Sequence, residues 1–136
     1  MTQATATYRI SMPVNLPYER TVERVREELA KEGFGVLSEI DVKATLRKKL
    51  DVDFRPYVIL GACNPPLAHR ALTEERDIGV LLPCNVVVYA DDRPGHSIVS
   101  AVDPEVSLSR VDNDRLAPLA ADVKARLTRV VKAVAG

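Results

Sequence analysis

Hydrophobic and polar residues alternate along three segments of the chain, as they do in half-buried β-strands. These segments are residues 5–14, 34–40 and 97–102. In the second segment we expect Phe34, Val36 and Ile40 to point inward, although Leu37 interrupts the strict alternation. Each of the three segments is therefore predicted to be a strand with one buried face.

Two further segments are apolar without alternation, a pattern typical of central strands that are covered on both faces. They are residues 55–63, with Tyr57 to Leu60 at their centre, and residues 84–90, the most β-branched part of the chain. Residues 91–95 contain Asp-Asp-Arg-Pro-Gly and predict a turn. We therefore expect residues 84–102 to form a hairpin.

Helical spacing of apolar residues predicts the remaining elements. A helix over 19–32 should end at Gly33, because glycine adopts the left-handed conformation at the C′ position without strain. Asp41 is predicted to cap a short helix that carries Val42, Leu46 and Leu50. A helix should begin at Pro65, and a long amphipathic helix is predicted over 113–135.

Composition places the 136-residue chain among ordinary globular domains, with 46% hydrophobic and 28% charged residues. We expect a single domain over residues 1–136, because no flexible linker or internal repeat interrupts it. Nineteen basic and nineteen acidic side chains cancel. No global field therefore favours nucleic acid or an anionic membrane, and we expect neither as a partner.

Residues 1–7 show neither a charged n-region nor an apolar h-region, so we expect no signal peptide and a cytoplasmic location. The longest apolar stretch, residues 78–90, is interrupted by Gly79, Pro83 and Asn85 and is too short to cross a bilayer. In a reducing compartment, two cysteines are expected to be free thiols rather than a disulfide.

The dipeptide Cys-Asn occurs twice in a chain with only two cysteines, and proline flanks both copies. In the first copy, Cys63 ends a predicted central strand and Asn64 precedes the predicted helix start at Pro65. A thiol at that position faces the positive end of a helix dipole, which favours the thiolate. Asn64 is predicted to be the N-cap of the helix. Cys63 is therefore the candidate reactive thiol.

The second copy, Cys84-Asn85, follows Pro83 at the start of a predicted strand. An amide inside an aliphatic sheet needs hydrogen-bond partners, because an unpaired buried amide costs roughly 1–3 kcal/mol. We therefore expect Asn85 to bond the backbone of the first loop and to tie the two copies together.

Four interpretations of this arrangement remain open. Thiol chemistry would need a resolving partner supplied by the fold, because no Cys-x-x-Cys motif is present. A soft-metal site for copper or zinc would need more ligands than two thiolates, unless the metal is Cu(I) or a dimer shares the ion. His69 is the only nearby imidazole that could be a further ligand. The loops could instead bind a small molecule without chemistry. Finally, both copies could serve the fold alone, in a non-enzymatic binding or assembly module.

Other catalytic patterns are absent from the sequence. The chain contains no Gly-x-Gly-x-x-Gly, Walker A, Gly-x-Ser-x-Gly or His-Glu-x-x-His motif. Asp41, Asp51 and Asp53 cluster around the short predicted helix, where caps and solvated loops account for them at least as well as acid–base catalysis. The absence of these motifs weighs against a familiar enzyme class, and the sequence identifies no cofactor.

Two stretches resemble the DUF302 family of bacterial and archaeal proteins. They are Ile-Leu-Gly-Ala-Cys-Asn-Pro at 59–65 and Ile-Gly-Val-Leu-Leu-Pro-Cys-Asn-Val-Val-Val at 78–88. Gly-Phe-Gly-Val at 33–36, Glu-Ile-Asp-Val-Lys at 39–43 and Val-Asp-Pro at 102–104 are similar to the same family. The resemblance extends from Tyr8 to the C-terminal helix.

The resemblance implies a two-layer α+β fold, in which helices pack on one face of a mainly antiparallel sheet, and it implies a possible homodimer. It implies no activity, because the family is named for its unknown function. Our hypothesis is that the two Cys-Asn loops converge at one end of the sheet. There Cys63, Asn64, Cys84, Asn85 and His69 are the candidate residues of a small-ligand or sulfur-handling site, without a resident metal.

Overall fold

The computed structural model describes residues 8–136, and within that range five strands form one sheet. The strands are β1 (Arg9–Val14), β2 (Gly35–Asp41), β3 (Tyr57–Cys63), β4 (Cys84–Ala90) and β5 (Ser97–Val102). Their order is β1-β5-β4-β3-β2, and every neighbouring pair is antiparallel. The antiparallel sheet implied by the family resemblance is therefore confirmed. The start of the predicted first strand, residues 5–7, lies outside the described residues.

Four of the helices follow the predicted order along the chain, and a further one-turn helix was not predicted. The helices are α1 (Tyr18–Lys31), α2 (Val42–Leu50), α3 (Pro65–Glu74), the short, unpredicted α4 (Pro104–Ser107) and α5 (Ala117–Ala135). The C-terminal helix starts later than the predicted residue 113, because Asp114–Leu116 forms a 3₁₀ turn in front of it. Pro118 lies in the first turn of α5, where its missing N–H leaves no helical bond unmade.

The core lies between one face of the sheet and the two long helices. Alternate residues of the central strands are buried on this side: Val58, Leu60, Ala62, Val86, Val88, Val99 and Ala101. Val25 and Leu29 of α1 and Val130 and Val134 of α5 pack against them. The expected α+β class, with the long C-terminal helix packed on the sheet, is thus confirmed.

The other face of the sheet points away from α1 and α5. In the three central strands we call this surface the open face, and it comprises Tyr57, Ile59, Gly61, Asn85, Val87, Tyr89, Ile98, Ser100 and Val102. Tyr57 and Tyr89 lie opposite each other in the register, and their rings stack with centroids 5.2 Å apart. Among the described elements, helices therefore cover one face of the central strands and leave the other uncovered.

The prediction that Ile40 points inward was wrong, because Ile40 is 48% exposed. The register of β2 against β3 shifts between Val36 and Ser38, which is a β-bulge. An extra residue at a bulge reverses the side-chain alternation beyond it. Ile40 consequently pairs with Ile59 on the open face, whereas Phe34 and Val36 stay with the core.

Candidate functional site

The two Cys-Asn dipeptides meet at one end of the sheet. β3 ends at Cys63 and β4 begins at Cys84, and the register pairs Ala62 with Cys84 and Gly61 with Asn85. Both cysteines line a cavity of about 60 Å³, which we call the cysteine cavity. The convergence expected from the sequence is therefore present, and both thiols are free.

The walls of the cysteine cavity are almost wholly apolar. Residues from β3, α3, α4 and α5 contribute, together with the segments before β2, before β4 and after α4. Besides Cys63, Asn64 and Cys84, they are Phe34, Ala62, Leu67, Ala68, Ala71, Leu82, Pro83, Pro104, Leu108, Leu119 and Val123. Among the described residues no buried side-chain nitrogen or oxygen lacks a hydrogen-bond partner. The cavity therefore offers a ligand apolar contacts and two sulfurs.

Sequence reasoning did not identify the contribution of α5 and α4 to this cavity. The amphipathic pattern marks the apolar face of α5, but it does not say that Leu119 and Val123 reach a space shared with Cys84. Leu119 also belongs to a second buried cluster with Leu67 and Ala71 of α3. The signal for a cavity in the sequence is the pair of small residues Ala68 and Ala71 in α3, which leave space beside the end of β3.

Asn64 has the predicted capping role and a further one. Its Oδ1 accepts a hydrogen bond from the Leu67 N–H at 3.4 Å, which caps α3. Its Nδ2 donates to the backbone carbonyl of Glu32 at 3.3 Å, just after α1. The buried amide of Asn64 thus joins the end of α1 to the start of α3.

The segment after α1 is shaped to receive this amide. Gly33 has the predicted left-handed conformation, with φ of 86°. A Cβ on Gly33 would lie 2.9 Å from Asn64 Nδ2, so a side chain there would displace the amide. The Glu32 carbonyl also accepts from Arg126 Nη1 at 2.9 Å, and the Glu32 carboxylate pairs with Arg129. The hydrogen bonds that Arg129 donates to the Glu32 carboxylate, together with its charge, lower the pKa of the Glu32 carboxyl.

Cys84 is a protonated thiol at neutral pH. It packs against the main core cluster. Burial raises the pKa of the Cys84 thiol to about 11, with a smaller contribution from the neighbouring Cys63 thiol. Because the thiolate is the nucleophilic form of cysteine, Cys84 is a poor nucleophile and acts as a soft apolar contact in the wall.

The physical link between the two dipeptides is a close contact at Gly61. A Cβ on Gly61 would lie 2.2 Å from Ser38 Oγ and 2.7 Å from Pro83 Cγ. The proline in front of the second dipeptide therefore packs against the glycine of the first motif. This close approach explains why position 61 is glycine.

The prediction that Asn85 ties the two dipeptides together was wrong. Within residues 8–136 the structure records no hydrogen bond to the Asn85 side chain, which is exposed on the open face. Successive side chains of a strand point to opposite faces, so Asn85 lies on the side opposite Cys84. It lines a shallow cleft of about 260 Å³ together with Tyr8, Tyr57 and Tyr89.

His69 is also placed away from the cysteine cavity. It lies on the exposed side of α3 and does not line the cavity, although the neighbouring residue Ala68 does. Of the five candidate residues, the structure therefore brings together Cys63, Asn64 and Cys84. The described part of the chain contains no group of three or more His, Cys, Asp or Glu residues that could hold a metal ion.

Comparisons with known proteins agree with the fold. The family model described as "Domain of unknown function DUF302" matches residues 10–134. A crystal structure of an uncharacterised conserved DUF302 protein from Bacillus stearothermophilus is similar, with a TM-score of 0.87 and 34% sequence identity over 95% of this chain and 99% of that one. No curated protein matches the sequence. Among the described residues, no helix has both the length and the apolar character needed to span a membrane.

Proposed function

This chain belongs to the DUF302 family, a family of unknown function, and from that premise we propose that the cysteine cavity binds a small apolar ligand or the apolar end of a larger one. The observation that carries the proposal is the cavity itself, an apolar space of about 60 Å³ with both cysteines in its wall. An unfilled apolar space lowers stability because its lining loses dispersion contacts. Its presence between close-packed elements therefore favours a binding role.

The lining specifies the chemistry of the ligand. Asn64 is the one amide in the wall, and both ends of that amide already have partners within the protein. A ligand group with hydrogen-bonding atoms would lose its bonds to water without replacement, which costs roughly 1–3 kcal/mol for each group. The site therefore favours a short alkyl, thioether or similarly uncharged group.

We assign any sulfur chemistry at this site to Cys63. The Cys84 thiol holds its proton at neutral pH, because burial raises its pKa to about 11. Cys63 lies at the strand-to-helix turn directly before the N-cap of α3, near the positive end of the helix dipole. In this proposal Cys63 is the candidate reactive thiol and Cys84 is a wall residue.

The non-enzymatic alternative has a specific observation in its favour, since Asn64 is fully used as a cap and a clamp. In that alternative the two motifs brace the fold, and the cavity has no ligand. Copper or zinc binding by the two thiols stays the third possibility. It would need Cu(I) or a ligand from outside the described chain, because no third ligand is grouped with the thiols there.

Xenon binding tests the proposal, because xenon enters dry apolar cavities and needs no knowledge of the natural ligand. Crystals of the protein are pressurised with xenon and compared with crystals of Ala68→Leu, which fills the cavity, and of Ala125→Leu on the exposed side of α5. We expect xenon between α3 and α5 in the wild type and in Ala125→Leu, but not in Ala68→Leu. Ordered water in place of xenon in the wild type would overturn the proposal.

Two further parts of the account are proposals of the same kind. We propose that the protein works in the cytoplasm, where a reducing environment keeps both cysteines as thiols. We also propose that it forms a homodimer, because α1 and α5 cover only one face of an apolar sheet. Neither proposal depends on the ligand of the cysteine cavity.

A further inference from the structure

The open face lacks charge where a solvent-exposed sheet would carry it. None of its nine positions in β3, β4 and β5 is charged, and six of them are aliphatic or aromatic: Tyr57, Ile59, Val87, Tyr89, Ile98 and Val102. Antiparallel sheets with one solvated face normally alternate between apolar and polar residues. The open face therefore has the composition of a surface that another layer covers.

The apolar surface continues beyond the sheet. The ring of Phe54 lies 6.1 Å from that of Tyr57, which in turn stacks on Tyr89. Phe54 is exposed, and so are Val52 in the same connection and Leu50 at the end of α2. Large contiguous apolar patches on a protein surface mark interaction sites. The patch is thus broader than the central strands alone.

Its size is close to what a specific dimer requires. The edge strands extend the open face by Ser11 and Pro13 of β1 and Ser38 and Ile40 of β2, with Arg9 at its margin. Five strands about 4.8 Å apart, with about six residues of 3.4 Å each, then give a face of about 24 by 20 Å, roughly 500 Å² in flat projection. Interdigitating side chains and the extension through Phe54 add to this area. Specific interfaces start at roughly 600 Å² for each partner.

The pattern of charge favours a second copy of the chain as the occupant. In a two-fold symmetric interface the same patch lies on both subunits and must be complementary to itself. A charged patch would bring like charges together, whereas the uncharged centre of the open face meets its own copy without repulsion. Two such sheets can pack face to face, with β-branched and aromatic side chains interdigitating.

We propose that the open face of the sheet is the surface on which two copies of this chain associate. This inference rests on the proposed homodimer and assigns its surface. The stacked Tyr57 and Tyr89, with Val87 beside them, form the centre of the contact. The cysteine cavity lies at the end of β3, between the sheet and the helices α3 and α5, and is not part of the interface.

The test is the molar mass in solution, measured by light scattering and by sedimentation, at roughly 100 μM, where a stable interface would be occupied. Val87→Glu and Ile98→Glu place a charge on the open face. Val80→Glu is the matched control, because Val80 is 86% exposed outside this surface. Circular dichroism and urea unfolding establish whether each variant is folded. Two open-face variants are used so that the test still stands if one of them does not fold.

We expect the wild type and Val80→Glu to show twice the chain mass of 15.0 kDa, and folded Val87→Glu or Ile98→Glu to show that mass once. A monomeric wild type would overturn both the homodimer and its surface. A dimer that persists in the folded open-face variants would overturn the surface alone. Dissociation of Val80→Glu together with the open-face variants would also overturn the surface, because the effect would not be specific to it.

Discussion

The two copies of Cys-Asn have the same residues and opposite arrangements. In Cys63-Asn64 both residues line the cysteine cavity, and the amide is buried and bonded at both ends. In Cys84-Asn85 the thiol lines the cavity, whereas the amide lies exposed on the open face. The difference comes from the backbone: the first copy ends a strand and caps a helix, and the second begins a strand in which side chains alternate.

This contrast shows that a repeated dipeptide is not a repeated site. Only the cysteines of the two copies converge, and the close packing of Pro83 on Gly61, rather than a bond from Asn85, links the two segments. The four predictions below test this comparison, beginning with the largest expected effect.

Replacing Gly61 by alanine should destabilise the protein by about 3 kcal/mol, since overpacking at an unyielding site costs roughly 1–3 kcal/mol or more. The new Cβ would overlap Ser38 Oγ and Pro83 Cγ. Urea unfolding measures the loss. Gly35→Ala is the control and should leave stability unchanged or slightly higher, because nothing lies within 4 Å of its Cβ position. Equal stabilities of the two variants would show that Pro83 does not pack closely on Gly61.

Raising the pH should weaken the fold through Cys84. Its pKa is about 11 in the folded protein and about 8.5 in an unfolded chain, so between these values only the folded state keeps the proton. Stability therefore falls as pH rises through this window, by roughly 3 kcal/mol. Urea unfolding gives the free energy of unfolding of the wild type and of Cys84→Ala at each pH. The difference between the two isolates the contribution of Cys84, because the tyrosines titrate in both proteins. A difference that stays constant from pH 8 to 11 would contradict the buried thiol.

Removing the two asparagine side chains should have unequal effects. Asn64→Ala loses a helix cap and a bond to Glu32, for a cost of about 2 kcal/mol. Asn85→Ala should change stability by less than about 0.5 kcal/mol, because its side chain is exposed. Urea unfolding at pH 7 compares them, and Asn64→Asp, which keeps the capping oxygen, should lie between. Similar losses for both alanine variants would refute the contrast.

Much of the fold was predictable from local patterns. The helix ending at Gly33, the cap at Asp41 and the cap at Asn64 all rest on backbone chemistry within a few residues, and all three are confirmed. The role assigned to Asn85 failed although the information was present. A strand that begins at Cys84 places the next side chain on the other face.

Other features were beyond the sequence because they depend on distant parts of the chain. The bulge between Val36 and Ser38, which turns Ile40 outward, is visible only once β2 is paired with β3. The contribution of Leu119 to the cysteine cavity depends on how α5 crosses the end of the sheet. Local periodicity predicts which face of a helix is apolar, but it does not predict what that face meets.

The environment of Cys84 distinguishes the second dipeptide most directly, because its thiol lies in the cavity wall while the adjacent amide is exposed. The decisive measurement is the rate of iodoacetamide alkylation against pH for the folded Cys63→Ser variant, in which Cys84 is the remaining thiol. We predict negligible alkylation at pH 7 and an apparent pKa well above the free value, because burial, the main cause of the rise to about 11 in the wild type, persists without the Cys63 thiol. Rapid alkylation of the folded variant with an apparent pKa near the free value of about 8.5 would contradict the account.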